Sequence, residues 1–301
     1  MACTHPSSGT IPSSPSPGSS PPLAFEQVVA LPPGTFLENL TEGPEGGAVI
    51  TSYFDRKLLL LGPEGRMETL AELDFHPVGI VTTKNGYVVS GHGAPFTQPK
   101  AFAGSSLVAE LSPAGAVVRR TQLSEAGFLN GVFALSSTQM LIADSVRGSL
   151  WLYDLPSGKS SLWLESEVLK ADSEAPTFRP GANGIKRWED SIYVSNSSRG
   201  TIHRIPLEGL RPGAPELFAS PGAVDDFVFD ARGYIYVATH GEALFVIDRQ
   251  GRHTALIEEG CGGCTSVLFP PAKRGSTLWV LTTGHLLEGG NQPAQVLRVR
   301  L

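Results

Sequence analysis

Six short apolar runs recur along this chain: GAVITS (47–52), GYVVSG (86–91), MLIADS (140–145), IYVSNS (192–197), IYVATH (235–240) and LWVLTT (278–283). Anchored on Ile50, Val89, Ile142, Val194, Val237 and Val280, they step by 39, 53, 52, 43 and 43 residues. Runs rich in Val, Ile, Leu and Tyr, separated by Gly, Pro, Asn and Asp, are strand patterns. A third strand follows most anchors, as in GSLWLYDL, GTIHRIPL and EALFVIDRQG, and then a turn and a fourth, as in ELFA and HTALI. Only LAELDF and SEVLKA approach a helical period, and both are short. A unit of about 40–50 residues written six times is the period of a β-propeller. A sandwich imposes no single period over so long a stretch, and solenoid coils are much shorter. The expected fold is all-β: a six-bladed β-propeller of four-stranded antiparallel blades around a central channel. It forms a single domain over residues 23–301.

The innermost strand of each unit begins 11 to 15 residues before its anchor. These strands read Glu38-Asn39-Leu40, Val78-Gly79-Ile80, Asn130-Gly131-Val132, Asn183-Gly184-Ile185, Asp225-Asp226-Phe227 and Thr265-Ser266-Val267. The third member is always apolar and packs between sheets. By the strand period of two, the first member shares its face, at the top of the strand where it meets the channel. Two of these first residues are carboxylates and two are amides, and no Lys or Arg holds any of the six positions. A carboxylate in a narrow, partly dehydrated channel costs several kcal/mol unless it is paired. A divalent cation held by Glu38, Asn130, Asn183 and Asp225 resolves that cost. Oxygen-only ligation favours calcium, with magnesium, manganese and zinc as further choices. An isolated Asn-Gly is more often a turn dipeptide; donors in phase with the blades argue for ligation. A second layer, at the ends of the anchor strands, holds Ser52, Tyr53, His92, Asp144, Asn196 and His240, with His285 further on. Tyr53, Asp144 and Asn196, with Asn39, Asp226 and Thr265, are read as contacts for a polar small-molecule substrate. The Ser-x-Arg-Gly after Asp144 and Asn196 is read as shaping the turn into the third strand.

With 301 residues and 41% hydrophobic composition, the chain can bury a full core. Its net charge of -6 argues against nucleic-acid binding and a polybasic membrane surface. No run approaches the roughly 18 apolar residues of a membrane span. The first 22 residues are Ser/Pro-rich with almost nothing to bury and read as a disordered tail. They lack a leader pattern, so the expected location is the cytoplasm. A removed leader would make the protein secreted or anchored, since Cys3 before a Ser/Pro tether is how some anchored proteins begin. Cys261 and Cys264 form a lone C-x-x-C, read as two small strand-entrance residues within disulfide reach. No partner chain is required: a monomer or weak homo-oligomer is expected.

FLENL, FLNGV, PGANGI and AVDDFVFD resemble the senescence-marker-protein, gluconolactonase and luciferin-regenerating-enzyme family of six-bladed propellers. The resemblance spans roughly residues 30–301. It implies one divalent metal on Glu38, Asn130, Asn183 and Asp225, with Asp225 the acid–base group in opening a lactone. The family usually has Gly-Pro after the first Glu and Gly after the Asp; here Asn39-Leu40 and Asp226 stand, leaving Asn39 and Glu42 as alternative first ligands. Three functions follow. The first is a metal-dependent lactone or ester hydrolase, with His92 or His240 orienting substrate or protonating the leaving oxygen. The second is a biosynthetic enzyme of secondary metabolism, such as the related fungal hetero-Diels–Alder cyclases, its mouth lined from HGAPFTQPKAFAG and EAPTFRPG. The third is a non-enzymatic ligand-binding propeller.

Overall fold

The computed structural model describes residues 23–172, 179–270 and 275–301. Residues 1–22, read above as a tail, lie outside them. Among the described residues twenty-five strands form six antiparallel sheets arranged as blades, as expected. The innermost strands are Leu37–Glu42, His76–Thr83, Leu129–Ala134, Ala182–Trp188, Phe227–Phe229 and Cys264–Leu268. The second strands are Ala48–Ser52, Gly86–His92, Gln139–Asp144, Ser191–Asn196, Ile235–Ala238 and Thr277–Thr282. Every residue of these second strands but Gln139 is buried, because each blade has a neighbour on both faces. That is why they read as continuous apolar runs. Outermost strands such as Val117–Gln122 alternate between exposed and half-buried residues.

The core is a series of wedges between neighbouring blades. Leu37, Ile50 and Leu59 of the first blade meet Trp279, Leu281 and Val296 of the sixth. The ring closes where strand Glu26–Pro33 pairs antiparallel with Pro293–Arg300, giving the sixth blade its outermost strand. An Arg298–Glu26 ion pair clamps this seam. Closure leaves no long unpaired inner edge. Among the described residues no helix is long and apolar enough to cross a membrane.

One local expectation is corrected. Strict alternation fails on the innermost strands, because the pairing register breaks at 38–39, 78–79, 130–131, 183–184 and 265–266. Each break is a β-bulge, which kinks the strand and re-aims a side chain. At three of these bulges the first member of the triad, Glu38, Val78 or Asn130, faces the channel cavity. In blades two to four the second member is glycine, Gly79, Gly131 and Gly184, because the next blade lies close against it. A Cβ on Gly131 would lie 2.5 Å from the Asn183 carbonyl oxygen. Gly131→Ala is expected to cost about 1–3 kcal/mol, read as a lower midpoint in urea unfolding. An unchanged midpoint would show that blades three and four separate freely. Hydroxyls complete the inner ring: Thr51 donates to the Val78 carbonyl at 2.7 Å, and Ser195 to that of Asp225 at 2.7 Å.

Candidate active site at the channel mouth

A cavity of about 580 Å³ opens at one end of the channel. Glu38, Asn130 and Asp225 line it together with Tyr53, Ser197, Thr239 and His240. Three of the four residues expected to share an ion therefore converge from blades one, three and five. The fourth, Asn183, reaches the group through its amide: Nδ2 donates to Asp225 Oδ1 and, at 2.9 Å, to Ser197 Oγ. Ser197 in turn donates to Asp225 Oδ1 at 3.4 Å. These donors occupy one carboxylate oxygen of Asp225 and hold the group in place.

The electrostatics are those of uncompensated acid. Burial, with the negative charges of Asp225 and Asp226, drives the Glu38 carboxyl well above the usual carboxylate range. Glu38 touches the cavity, so solvent relieves part of that penalty. Burial likewise lifts Asp225 to about 6; an imidazolium at His240 pulls it down, and Asp226 pushes it up. Among the described residues no Lys or Arg pairs with Glu38 or Asp225. Asn130 adds an amide oxygen, Oδ1, that is buried without a partner among the described residues, while its Nδ2 donates to Ser145 Oγ at 3.4 Å. Such an orphaned acceptor is unusual and expensive in a protein interior. Among the described residues no cluster of three His, Cys, Asp or Glu side chains is placed to hold a metal, so any cation here would need amide oxygens as well. Two carboxylates and an unpartnered amide oxygen fit a hard, oxygen-seeking cation.

His240 lines the same cavity with its backbone in the left-handed region, φ 57°. Its backbone N–H donates to the Cys264 carbonyl at 2.7 Å, and its buried ring Nδ1 has no partner among the described residues. A bulky residue held in that region is a mark of functional constraint.

The second layer divides. Tyr53 and His240 face the cavity; the other members are tied up elsewhere. His92 is fully buried between the rings of Phe102 and Phe128, with centroids at 4.5 and 4.6 Å. Its Nε2 donates to the Leu129 carbonyl at 3.0 Å, and burial depresses its pKa to about 3, so it stays neutral. Asp144 spends its carboxylate on the N–H groups of Gly127, Phe128, Val146 and Arg147 and on the Trp151 indole. Asn196 braces the Val168 and Lys170 carbonyls and accepts from Arg199 N–H at 3.0 Å. Both cap the turn at Arg147-Gly148 and Arg199-Gly200, whose glycines sit at φ 66° and 61°. Ser52 donates to Asp55 at 2.7 Å, and His285 pairs with Glu242 at 2.6 Å. Thr265 donates to the Leu37 carbonyl at 2.7 Å, closing blade six on blade one. Asp226 points between blades, bound by Lys186 Nζ and Ser266 Oγ, each at 2.6 Å. The Asn39 N–H donates to Thr51 Oγ1 at 2.9 Å, and Asn39 does not line the cavity. Cys261 and Cys264 are buried free thiols.

Sequence reasoning missed Ser197, Lys186 and, of an aromatic collar, Phe36 and Phe128. The collar's Phe96 belongs to the HGAPFTQPKAFAG loop expected at the mouth, and residues 174–178 of the EAPTFRPG loop lie outside the described residues. Ser197 follows Asn196 directly, and Lys186 stands three residues after Asn183; neither spacing says which way a side chain turns. Phe36 and Phe128 carried a legible signal, since each lies two residues before a first-position donor.

Fold and site together define a class: a six-bladed propeller whose channel mouth gathers acids and amides. No family model matches the chain, and no curated protein matches it in sequence. Solved structures do. The calcium-binding protein regucalcin from Agrobacterium tumefaciens superposes with a TM-score of 0.67 at 20% identity, over 92% of this chain and 94% of that one. A luciferin-regenerating enzyme gives 0.68 at 16%, over 93% and 95%. A gluconolactonase from Xanthomonas campestris gives 0.67 at 13%, over 93% and 89%. These neighbours are the propellers that the sequence resembles, and at such identities the likeness carries the fold.

Proposed function

We propose that this protein is a hydrolase of a lactone or ester, working with a divalent cation, calcium first among the choices, at the channel mouth. One observation carries the reading: among the described residues Glu38 and Asp225 have no Lys or Arg partner, and with Asn130, whose amide oxygen is orphaned, they line one open cavity. Glu38, Asn130 and Asp225 would hold the ion, joined by Asn183 once its amide turns its oxygen inward. When bound, the cation neutralises the two acids and polarises the acyl carbonyl. Asp225 then has one oxygen, Oδ1, within reach of the Ser197 hydroxyl and a second, Oδ2, with no donor among the described residues. Oδ2 takes the proton of the attacking water. His240 protonates the leaving oxygen through Nε2, the ring nitrogen opposite its buried Nδ1. Regucalcin and gluconolactonase lend the reading support as proteins of the same fold.

Calcium is expected to raise the melting temperature at pH 7.5. The shift should fade below about pH 6, as Asp225 and Glu38 take up the protons that compete with the ion. Hydrolysis of a lactone and ester panel should stop with EDTA and return with calcium or manganese. Turnover indifferent to chelation would sink the reading.

The aromatic lining favours a second reading, a biosynthetic cyclase that accelerates by orienting a flat substrate. Cyclisation of a quinone-methide substrate that survives EDTA would mark it.

A further inference from the structure

We infer that the substrate presents an aromatic or similarly flat apolar group and few hydroxyls to this cavity; the inference rests on the hydrolytic reading of the same site. The volume, about 580 Å³, suits a molecule larger than a bare lactone ring. Its wall on the side of blades one to three is aromatic. Phe36 and Phe128 stand one tier above Glu38 and Asn130, and Tyr53 and Phe96 fill the space between them. Ring centroids run 6.1 Å from Phe36 to Tyr53, 5.2 Å from Tyr53 to Phe96 and 6.4 Å from Phe96 to Phe128. The same tier in blades four to six is Gly181, Ala223 and Gly263, with no side chain beyond a methyl. The collar is therefore lopsided: a continuous aromatic surface faces positions that place no bulk against it.

Few polar groups remain for substrate hydroxyls. The Tyr53 hydroxyl accepts from the Phe96 N–H at 3.0 Å and keeps a single proton to donate, and Thr239 Oγ1 donates to the Ala243 carbonyl at 2.6 Å. Arg179 and Glu288 line the cavity only at its exposed rim. A polyhydroxylated ring would press its hydroxyls against phenyl faces and lose their bonds to water. A phenyl group would instead find edge and face partners in Phe36, Phe96 and Phe128.

The test compares three δ-lactones sharing one reacting ester: δ-valerolactone, its δ-phenyl derivative and D-glucono-δ-lactone, each with saturating calcium. The expected kcat/KM for the phenyl lactone exceeds that for gluconolactone by about 100-fold or more. Phe96→Ala, which leaves the Phe96 N–H in place, should lower kcat/KM about 10-fold more for the phenyl lactone than for δ-valerolactone. Preference for gluconolactone, or an equal loss on all three in Phe96→Ala, overturns the assignment and leaves hydrolysis standing. If none of the three turns over, hydrolysis is what fails, and calorimetry with the δ-phenyl lactam decides the rest. Binding that weakens in Phe96→Ala supports the aromatic site; no binding overturns it.

Discussion

Asp225→Asn is expected to lower kcat/KM for hydrolysis about a thousand-fold while making the metal-free protein more stable. The loss follows from removing the general base, a contribution of about 10²–10⁴ in rate. The gain follows from linkage. Asp225 in the folded protein has a pKa of about 6 against its usual 3.8, so the folded state holds this proton more tightly than the unfolded state does. Its favourable contribution is complete below pH 3.8 and is lost as the pH rises through 6. At pH 8 the buried carboxylate therefore costs on the order of 3 kcal/mol. The amide carries no such charge, so the variant should melt higher in EDTA at pH 8 and lose the slope between pH 4 and 6. Calcium, which stabilises the parent protein, should leave the variant nearly unmoved. Urea unfolding with and without calcium, beside lactone kinetics, separates these effects. Normal turnover, or a calcium shift equal in both proteins, would remove Asp225 from the site.

Lys186→Met should destabilise the propeller by about 2–4 kcal/mol, below the full cost for a buried ion pair because the Lys186 side chain is partly exposed while Asp226 is buried. Lys186 Nζ lies 2.6 Å from Asp226, whose side chain is 4% exposed, and 5.4 Å from the Phe227 ring centroid. Ser266 of the sixth blade donates to the other Asp226 oxygen, so one carboxylate joins blades four, five and six. Without the ammonium, a buried negative charge stands beside Asp225 and Glu38, already the most acid-crowded point of the chain. The Asp225 pKa should rise further, moving the acid limb of the pH–rate profile upward. Adding Asp226→Asn to Lys186→Met should restore much of the stability, because the neutral amide needs no counter-charge. A loss under about 1 kcal/mol in urea unfolding, the range of an exposed pair, would show that the pair is solvated.

The six anchor strands were legible because burial on both faces writes unbroken apolar runs, and their period named the propeller. The donors Glu38, Asn130, Asn183 and Asp225 were legible because they recur in phase with those anchors. Strand Glu26–Pro33 was not: after Val280 the chain has room for one more strand, and only ring closure supplies the fourth from the opposite terminus. His92, Asp144 and Asn196 show the harder limit. His92 stands three residues past its anchor, as His240 does, and Asp144 and Asn196 stand two past theirs; these three turn inward to bind backbone while His240 faces the cavity. Periodicity records which residues share a strand and a level. Whether a polar side chain finds a nearer backbone partner or is left facing the channel depends on the bulges and on the neighbouring blade's approach. Those contacts join residues some forty positions apart, and no local pattern encodes them.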